Sequence, residues 1–171
     1  MELETRFSET EIGAAVARVA GEISRDYAGE TPVLVGVLKG SFVFLADLVR
    51  ALSIPCEVDF IRARSYGAGQ TSSGSVEITK DLDGDVAGRH VLVIEDIADT
   101  GLTMRAVAEH IEAAGPASVR CCALLVREGC DDPEYAGLRI GPGFVVGYGI
   151  DFAERYRELR DIRVVPPEPD S

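Results

Sequence analysis

The chain has 171 residues, 46% of them hydrophobic, with 18 Gly and 8 Pro, which is enough apolar mass for one packed domain. Its 29 acids against 17 Lys and Arg give a formal charge of −12, a field that repels nucleic acid and anionic membranes, so neither is expected as a partner. The acidic start "MELETRFSETE" lacks an apolar signal core, and no apolar run approaches the ~20 residues that span a bilayer, so a cytoplasmic location is expected.

In chain order, Ile12, Val16, Val19, Ile23 and Tyr27 recur at helical spacing, and Ser8 stands three residues before Glu11 as in a capping box. "VLVGVL" at 33–38 is an unbroken apolar run, as in a strand covered on both faces. Phe42, Leu45, Leu48, Val49 and Leu52 then mark a helix. "CEVDFIRA" at 56–63 alternates, with Cys56, Val58 and Phe60 predicted to face inward. The following polar, Ser/Gly-rich stretch has no apolar period and predicts a mobile lid over 65–79, with "SVEIT" as a short strand or hairpin arm.

"RHVLVIED" predicts a second buried strand, and Met104, Val107, Ile111 and Ala114 a helix that stops at Gly115-Pro116. "SVRCCALLV" predicts a third buried strand, after which "REGCDDPEYAGLRIGPG" reads as turn-rich, followed by short strands at "FVVGYG" and "IRVV". Alternating strands and helices through residue 126 imply an α/β fold with a parallel sheet covered on both faces, and the irregular remainder an added cap. No internal repeat or interdomain linker interrupts the chain, and "PPEPDS" predicts a disordered tail at 166–171.

Cys56, Cys121, Cys122 and Cys130 form no CxxC, and Cys121 and Cys122 should point to opposite faces of their strand, so core-filling thiols are expected. His90 and His110 have no partner at metal-ligand spacing.

The chemistry concentrates in "VLVIEDIADTGLTM" at 91–104. Glu95 and Asp96 stand at the carboxyl end of a buried strand, where open α/β sheets collect ligands. Asp99, Thr100, Gly101, Leu102 and Thr103 then form a turn that presents amides and two hydroxyls at a helix start, a cradle for phosphate. Two acids beside a phosphate cradle would repel the ligand unless they hold a divalent cation or hydroxyl groups, and a phosphorylated sugar has hydroxyls to offer. Asp99 and Thr100 as mere helix caps would leave Glu95 and Asp96 unexplained. A Walker B element lacks its G-x-x-x-x-G-K-[ST] partner here, and a phospho-receiver has no use for the TGxT turn.

The stretch closely resembles the phosphoribosyl pyrophosphate (PRPP) motif of phosphoribosyltransferases. "LKGS" at 38–41, "RSYG" at 64–67 and "FVVGYGIDFAERYREL" at 144–159 resemble, in turn, the pyrophosphate loop, catalytic lid and base-binding segment of hypoxanthine-guanine phosphoribosyltransferases. The resemblance runs from about residue 8 to 165. It implies a type I phosphoribosyltransferase fold: a parallel sheet of about five strands flanked by helices over about 8–126, and a small hood over about 127–165, usually assembled as a homodimer or homotetramer.

The resemblance further implies Mg²⁺-dependent attack of a 6-oxopurine on C1 of PRPP. Glu95 and Asp96 would meet the ribose hydroxyls or metal, Thr100 to Thr103 the 5-phosphate, and Asp99 the purine N7 as proton-transfer group. Lys39, Gly40, Ser41 and Arg157 would meet the pyrophosphate, with a cis peptide between Leu38 and Lys39. Phe144 would stack on the purine, backbone groups of Val145 and Asp151 would meet its edge, and Asp151 would also help hold a metal. Ser65 and Tyr66 head the lid. In composition alone Phe144 reads as core and "ERYRELR" as a solvated helix face. Two positions depart from the family: Leu102 stands where a lysine is frequent, and Arg127 where a lysine donates to the purine O6. A catalytically silent PRPP or nucleotide sensor on the same fold, and a sister enzyme preferring xanthine, stay open as alternatives.

Overall fold

The structure is a computed structural model that describes residues 2–66 and 75–167. Among these, the elements run β1 (Glu4–Phe7), α1 (Glu9–Asp26), β2 (Val33–Leu38), α2 (Phe42–Ala51), β3 (Glu57–Tyr66), β4 (Ser75–Lys80), β5 (His90–Ala98), α3 (Leu102–Glu112), β6 (Ser118–Arg127), β7 (Tyr135–Ile140), β8 (Phe144–Val146) and β9 (Ile162–Val165). The main sheet has the order β4-β3-β2-β5-β6-β7, with β3, β2, β5, β6 and β7 parallel and β4 antiparallel at one edge. This is the α/β architecture expected, with five parallel strands at its centre.

The capping box forms: Ser8 Oγ accepts from Glu11 N at 3.2 Å and Glu11 Oε2 accepts from Ser8 N at 2.8 Å. Ile12, Val16, Val19 and Ile23 of α1, with Phe44, Leu45 and Leu48 of α2, then bury against Leu34, Leu92 and Leu124 on one sheet face. On the other face Val107 and Ile111 of α3 cover Val33, Val35, Val91 and Val93. β2 and β5 are therefore apolar on both sides, which is why neither alternates. Cys122 packs in the first cluster and Cys121 against the others, so the adjacent thiols do take opposite faces. All four cysteines are free, and burial pushes the Cys121 thiol up to about 12, which rules out a ready thiolate.

Several expectations need correction. In β3 Cys56 and Phe60 do pack against the first cluster, but Val58 is exposed; the opposite face buries Ile61, and Asp59 accepts the amides of Asp83 and Gly84 at 3.1 and 3.0 Å. Phe42 faces solvent and Phe44 takes its place in the core. α3 ends at Glu112, so Ala114 lies beyond it, although Gly115 does take the positive φ of a stop. Within the turn-rich 127–143, residues Tyr135–Ile140 form a full parallel strand of the main sheet, so the sheet does not end at residue 126 and the cap is smaller than 127–165. Flanking "DDPE" and "GPG" and an interior Gly137 hide that edge strand. Ser65 and Tyr66 are strand residues that pair with Val76 and Ser75. The rest of the expected lid, 67–74, and the tail at 168–171 lie outside the described residues.

The cap is a second, antiparallel sheet in the order β1-β9-β8, into which the N-terminal "ETRF" is recruited. Only Phe7 of that strand is buried, so its sequence carries no period to detect.

Asp59 closes the 82–84 turn under β3, and truncating it would strand two amides in a part-buried setting. We expect Asp59→Ala to lower stability by about 2 kcal/mol, and Asp59→Asn by less, in urea unfolding. Equal stability of the alanine variant and the parent would show that the turn does not depend on this side chain.

Candidate active site

Because β2, β5 and β6 run parallel in register (Gly36 beside Ile94, Ile94 beside Cys122), their carboxyl ends meet on one edge. A cleft of about 240 Å³ opens there, lined by Leu38 and Gly40 after β2, Glu95 and Asp96 of β5, and Thr100 and Thr103. A larger groove of about 680 Å³ lies between α1, α2 and 157–160, but its walls are mostly apolar, among them Ile12, Val16 and Phe42. It lacks the paired acids and helix start that could handle an anionic, hydroxyl-bearing ligand.

Glu95 is buried, and burial followed by the neighbouring Asp96 charge raises its carboxyl well above the usual range. Burial also raises Asp96, partly offset by the Ile97 amide, which donates to Asp96 Oδ1 at 2.8 Å, and by the positive charge of Arg157. Asp96 is pressed against the loop after β2: a Cβ on Gly40 would stand 1.9 Å from Asp96 Oδ2, so a side chain there would displace the Asp96 carboxylate. The Leu38–Lys39 peptide is cis.

In the turn after β5 Asp99 does not cap the helix, while Thr100 does meet its first amide. Gly101 is the N-cap of α3, with φ 81 and no side-chain cap bond, and Asp99 turns away to accept from Arg127. Thr100 Oγ1 accepts from Leu102 N at 3.3 Å. The first helical carbonyl to be used is that of Gly101, by Arg105 N at 3.0 Å, so the amides of Thr103 and Met104 have no turn behind them to accept their protons.

Across the cleft, Arg127 at the end of β6 donates from Nε to Asp99 Oδ1 at 3.1 Å, and from Nη1 to the carbonyls of Gly141 at 2.5 Å and Gly143 at 2.9 Å. Phe144 follows and is 71% exposed, edge-on to the exposed Phe152 with ring centroids 6.4 Å apart. Its exposure removes it from the core that composition suggested. Val145 is buried and pairs with Val164, leaving only backbone to offer.

The segment 147–157 is a set of turns, not a helix, and folds down onto the loop after β2: a Cβ on Gly149 would lie 2.5 Å from Gly40 O. Arg157 is its strut, donating from Nη1 to Gly149 O at 2.8 Å and pairing through Nη2 with Asp151 Oδ1 at 3.2 Å. Asp151 Oδ2 also accepts from Glu154 N at 2.9 Å. Glu154 pairs with both Arg157 and Lys39, in each case at 3.4 Å, and so bridges two cations expected to meet pyrophosphate. The Ser41 hydroxyl is turned inward to Val37 O at 2.7 Å, so only its backbone faces the loop. Glu154, Phe152 and Gly149 were not singled out from sequence. Positive φ at Ala153, Glu154 and Tyr156 creates this geometry, and those side chains carry no signal of it.

Among the described residues no cluster of three or more His, Cys, Asp or Glu could enclose a metal ion. The Glu95–Asp96 pair fits instead an ion such as Mg²⁺ that takes one or two carboxylates and completes its shell with water and ligand oxygens.

Glu95 yields a stability test. An unfolded glutamate titrates near 4.5, whereas burial lifts the folded group above that value, so below 4.5 both states are protonated and no penalty arises. As pH rises past 4.5 the unfolded chain ionises first, and stability from this group falls until the folded carboxyl ionises too. Between about pH 5 and pH 8, Glu95→Gln should therefore gain thermal stability relative to the parent in the absence of ligand. A melting-temperature difference that does not change with pH would contradict the burial of this charge.

Residues 7–153 match the phosphoribosyl transferase domain family. The hypoxanthine phosphoribosyltransferase of Haemophilus influenzae is 43% identical over 164 residues, covering 92% of each chain. The hypoxanthine-guanine phosphoribosyltransferase of Mycobacterium avium is 42% identical over 161 residues, covering 90% of this chain and 79% of that one. A crystal structure of a hypoxanthine-guanine phosphoribosyltransferase from Bacillus anthracis aligns with a TM-score of 0.91 at 41% identity, over 96% of this chain and 100% of that one. The cleft at the carboxyl edge, the cradle after β5 and these matches agree, and the chain belongs to the phosphoribosyltransferase family.

Proposed function

We propose that this chain is a purine-salvage enzyme that transfers the 5-phosphoribosyl group of PRPP to N9 of hypoxanthine and guanine, forming IMP and GMP and releasing pyrophosphate. The observation that carries this reading is the meeting in one cleft of the Glu95–Asp96 pair, Gly40 and the Gly101 turn. The names of the relatives, all hypoxanthine or hypoxanthine-guanine phosphoribosyltransferases, favour an enzyme over a silent sensor and supply the bases.

In this reading the amides and hydroxyls of Thr100 to Thr103 take the 5-phosphate, with Leu102 contributing its backbone. Glu95 and Asp96 accept from the ribose hydroxyls, and the loop of Lys39, Gly40 and Ser41 with Arg157 receives the pyrophosphate. Phe144 stacks on the purine beside the backbone of Val145 and Asp151. Asp99 takes the proton from N7 as N9 forms its bond to C1 and the bond from C1 to the pyrophosphate oxygen breaks. Glu95 and Asp96 would hold one Mg²⁺ and Asp151 would help hold a second, and the ions would supply charge neutralisation for the pyrophosphate oxygens. Ser65 and Tyr66 are placed by this reading in the lid region, and the assembly it carries is a homodimer or homotetramer in the cytoplasm.

Nη2 of Arg127 has no hydrogen bond among the described residues and can donate to a purine O6. Arginine has only donors, so it opposes the 6-amino group of adenine donor to donor. With PRPP and Mg²⁺ we expect hypoxanthine and guanine to be converted, and adenine to be disfavoured by as much as about 10⁴ in kcat/KM. Nucleotide formation followed base by base, xanthine included, tests this. Comparable turnover of adenine would remove Arg127 from the base, and PRPP binding without any product would establish the sensor. Asp99→Asn should lower kcat by about 10² to 10⁴ with little change in the KM of PRPP, because the phosphate cradle is untouched.

A further inference from the structure

Arg127 is one of the two positions where this chain departs from the family pattern it resembles, and its surroundings give it work that a lysine could not do. Its side chain is only 18% exposed, while the Asp99 side chain it holds is 64% exposed. An exposed carboxylate on a turn has several rotamers open to it, and proton transfer is lost with small misplacement of the group. The three donations from Nε and Nη1 tie together two separate parts of the site: the turn after β5 that carries Asp99, and the Gly141–Gly143 turn that sets the start of β8 and Phe144. A guanidinium spans both because its donors are spread along a rigid planar fork. An ammonium offers one nitrogen at the end of a flexible stem, and can reach one of these anchors or the other.

We propose that Arg127 is a positioning residue that holds the Asp99 carboxylate in register with the Phe144 ring. The inference rests on the function proposed above and adds to it a residue that acts through Asp99, distinct from any donation by its Nη2 to the base. In the folded protein one oxygen of Asp99 is fixed by Nε, the other is left to the purine, and the aromatic platform is set by the same side chain through two carbonyls. The site therefore selects for correct placement of a base between ring and carboxylate, while the phosphate cradle is built from residues 100–103, to none of which the Arg127 side chain donates.

The test is a double-mutant cycle on the full chain, with Mg²⁺, PRPP and hypoxanthine, comparing the parent, Arg127→Met, Asp99→Asn and the double variant. If Arg127 acts through Asp99, Arg127→Met lowers kcat by about 10² in the parent but by about 10-fold or less once Asp99 is asparagine, where only its donation to the base remains to be lost, with the KM of PRPP within about 3-fold throughout. The same factor in both backgrounds would overturn the inference and leave Arg127 as a base ligand only. Arg127→Lys, which keeps the charge and disturbs folding least, runs the same cycle: it should lose about 10-fold in kcat, and full activity would show that the fork is dispensable. Should the parent itself form no nucleotide with either base, the function reading falls and this inference with it. Parental turnover with equal factors sinks the inference alone.

Discussion

Burying two adjacent carboxylates at the end of β5 is the constraint around which the site is organised. Desolvation disfavours their ionised forms, and a protein tolerates such a pair only where the surrounding structure leaves no alternative. Here β5 lies between β2 and β6, with apolar cover on both faces up to Ile94, so the direction of Glu95 is fixed by the strand pleat. Gly40 then closes on Asp96, and Gly149 closes on Gly40. The loop after β2 is thereby held between the Asp96 carboxylate and the Gly149 backbone, and the approach of Gly149 to the Gly40 carbonyl leaves no room for a side chain. The 147–157 turns that follow β8 thus contact the loop that contacts the acid pair.

How much of this was legible depended on whether a residue's role was set locally. The α1 capping box, the unbroken runs of β2, β5 and β6 and the opposite faces of Cys121 and Cys122 follow from period and propensity, and all are found. The acid pair and the turn after it could be read as an anion site from residue types, because strand end and helix start are local features. What was not legible depends on long-range pairing. β7 is an edge strand whose interior Gly137 and flanking turn residues look like loop, and β1 is a four-residue strand stabilised by its partner β9. The burial of Asp59 on the second face of β3 could not be read either, because a distant turn requires its carboxylate, something no local window contains. Glu154 and Phe152 entered the site through backbone geometry in 153–156 that ordinary side chains rarely adopt.

The cations of the cleft complete the picture, since each already holds a carboxylate. Lys39 pairs with Glu154, Arg157 with Asp151 and Glu154, and Arg127 with Asp99. In a protein of net charge −12 this is the expected resting state: unpaired cations at a concave site would be neutralised by neighbours. Anion binding then becomes an exchange, in which an incoming phosphate oxygen replaces a carboxylate oxygen on Lys39 or Arg157. Such an exchange gains little Coulomb energy by itself, because one charge contact is lost for each one made. The net attraction must come from groups with no partner to give up among the described residues, which are the amides of Thr103 and Met104, and from a cation brought by the ligand. Arg127 stands apart from this exchange. Its anchors are two carbonyls and a carboxylate that the proposed chemistry keeps in place, so it has no reason to release them, and a fork that stays bound can set distances that an exchanging ion pair cannot.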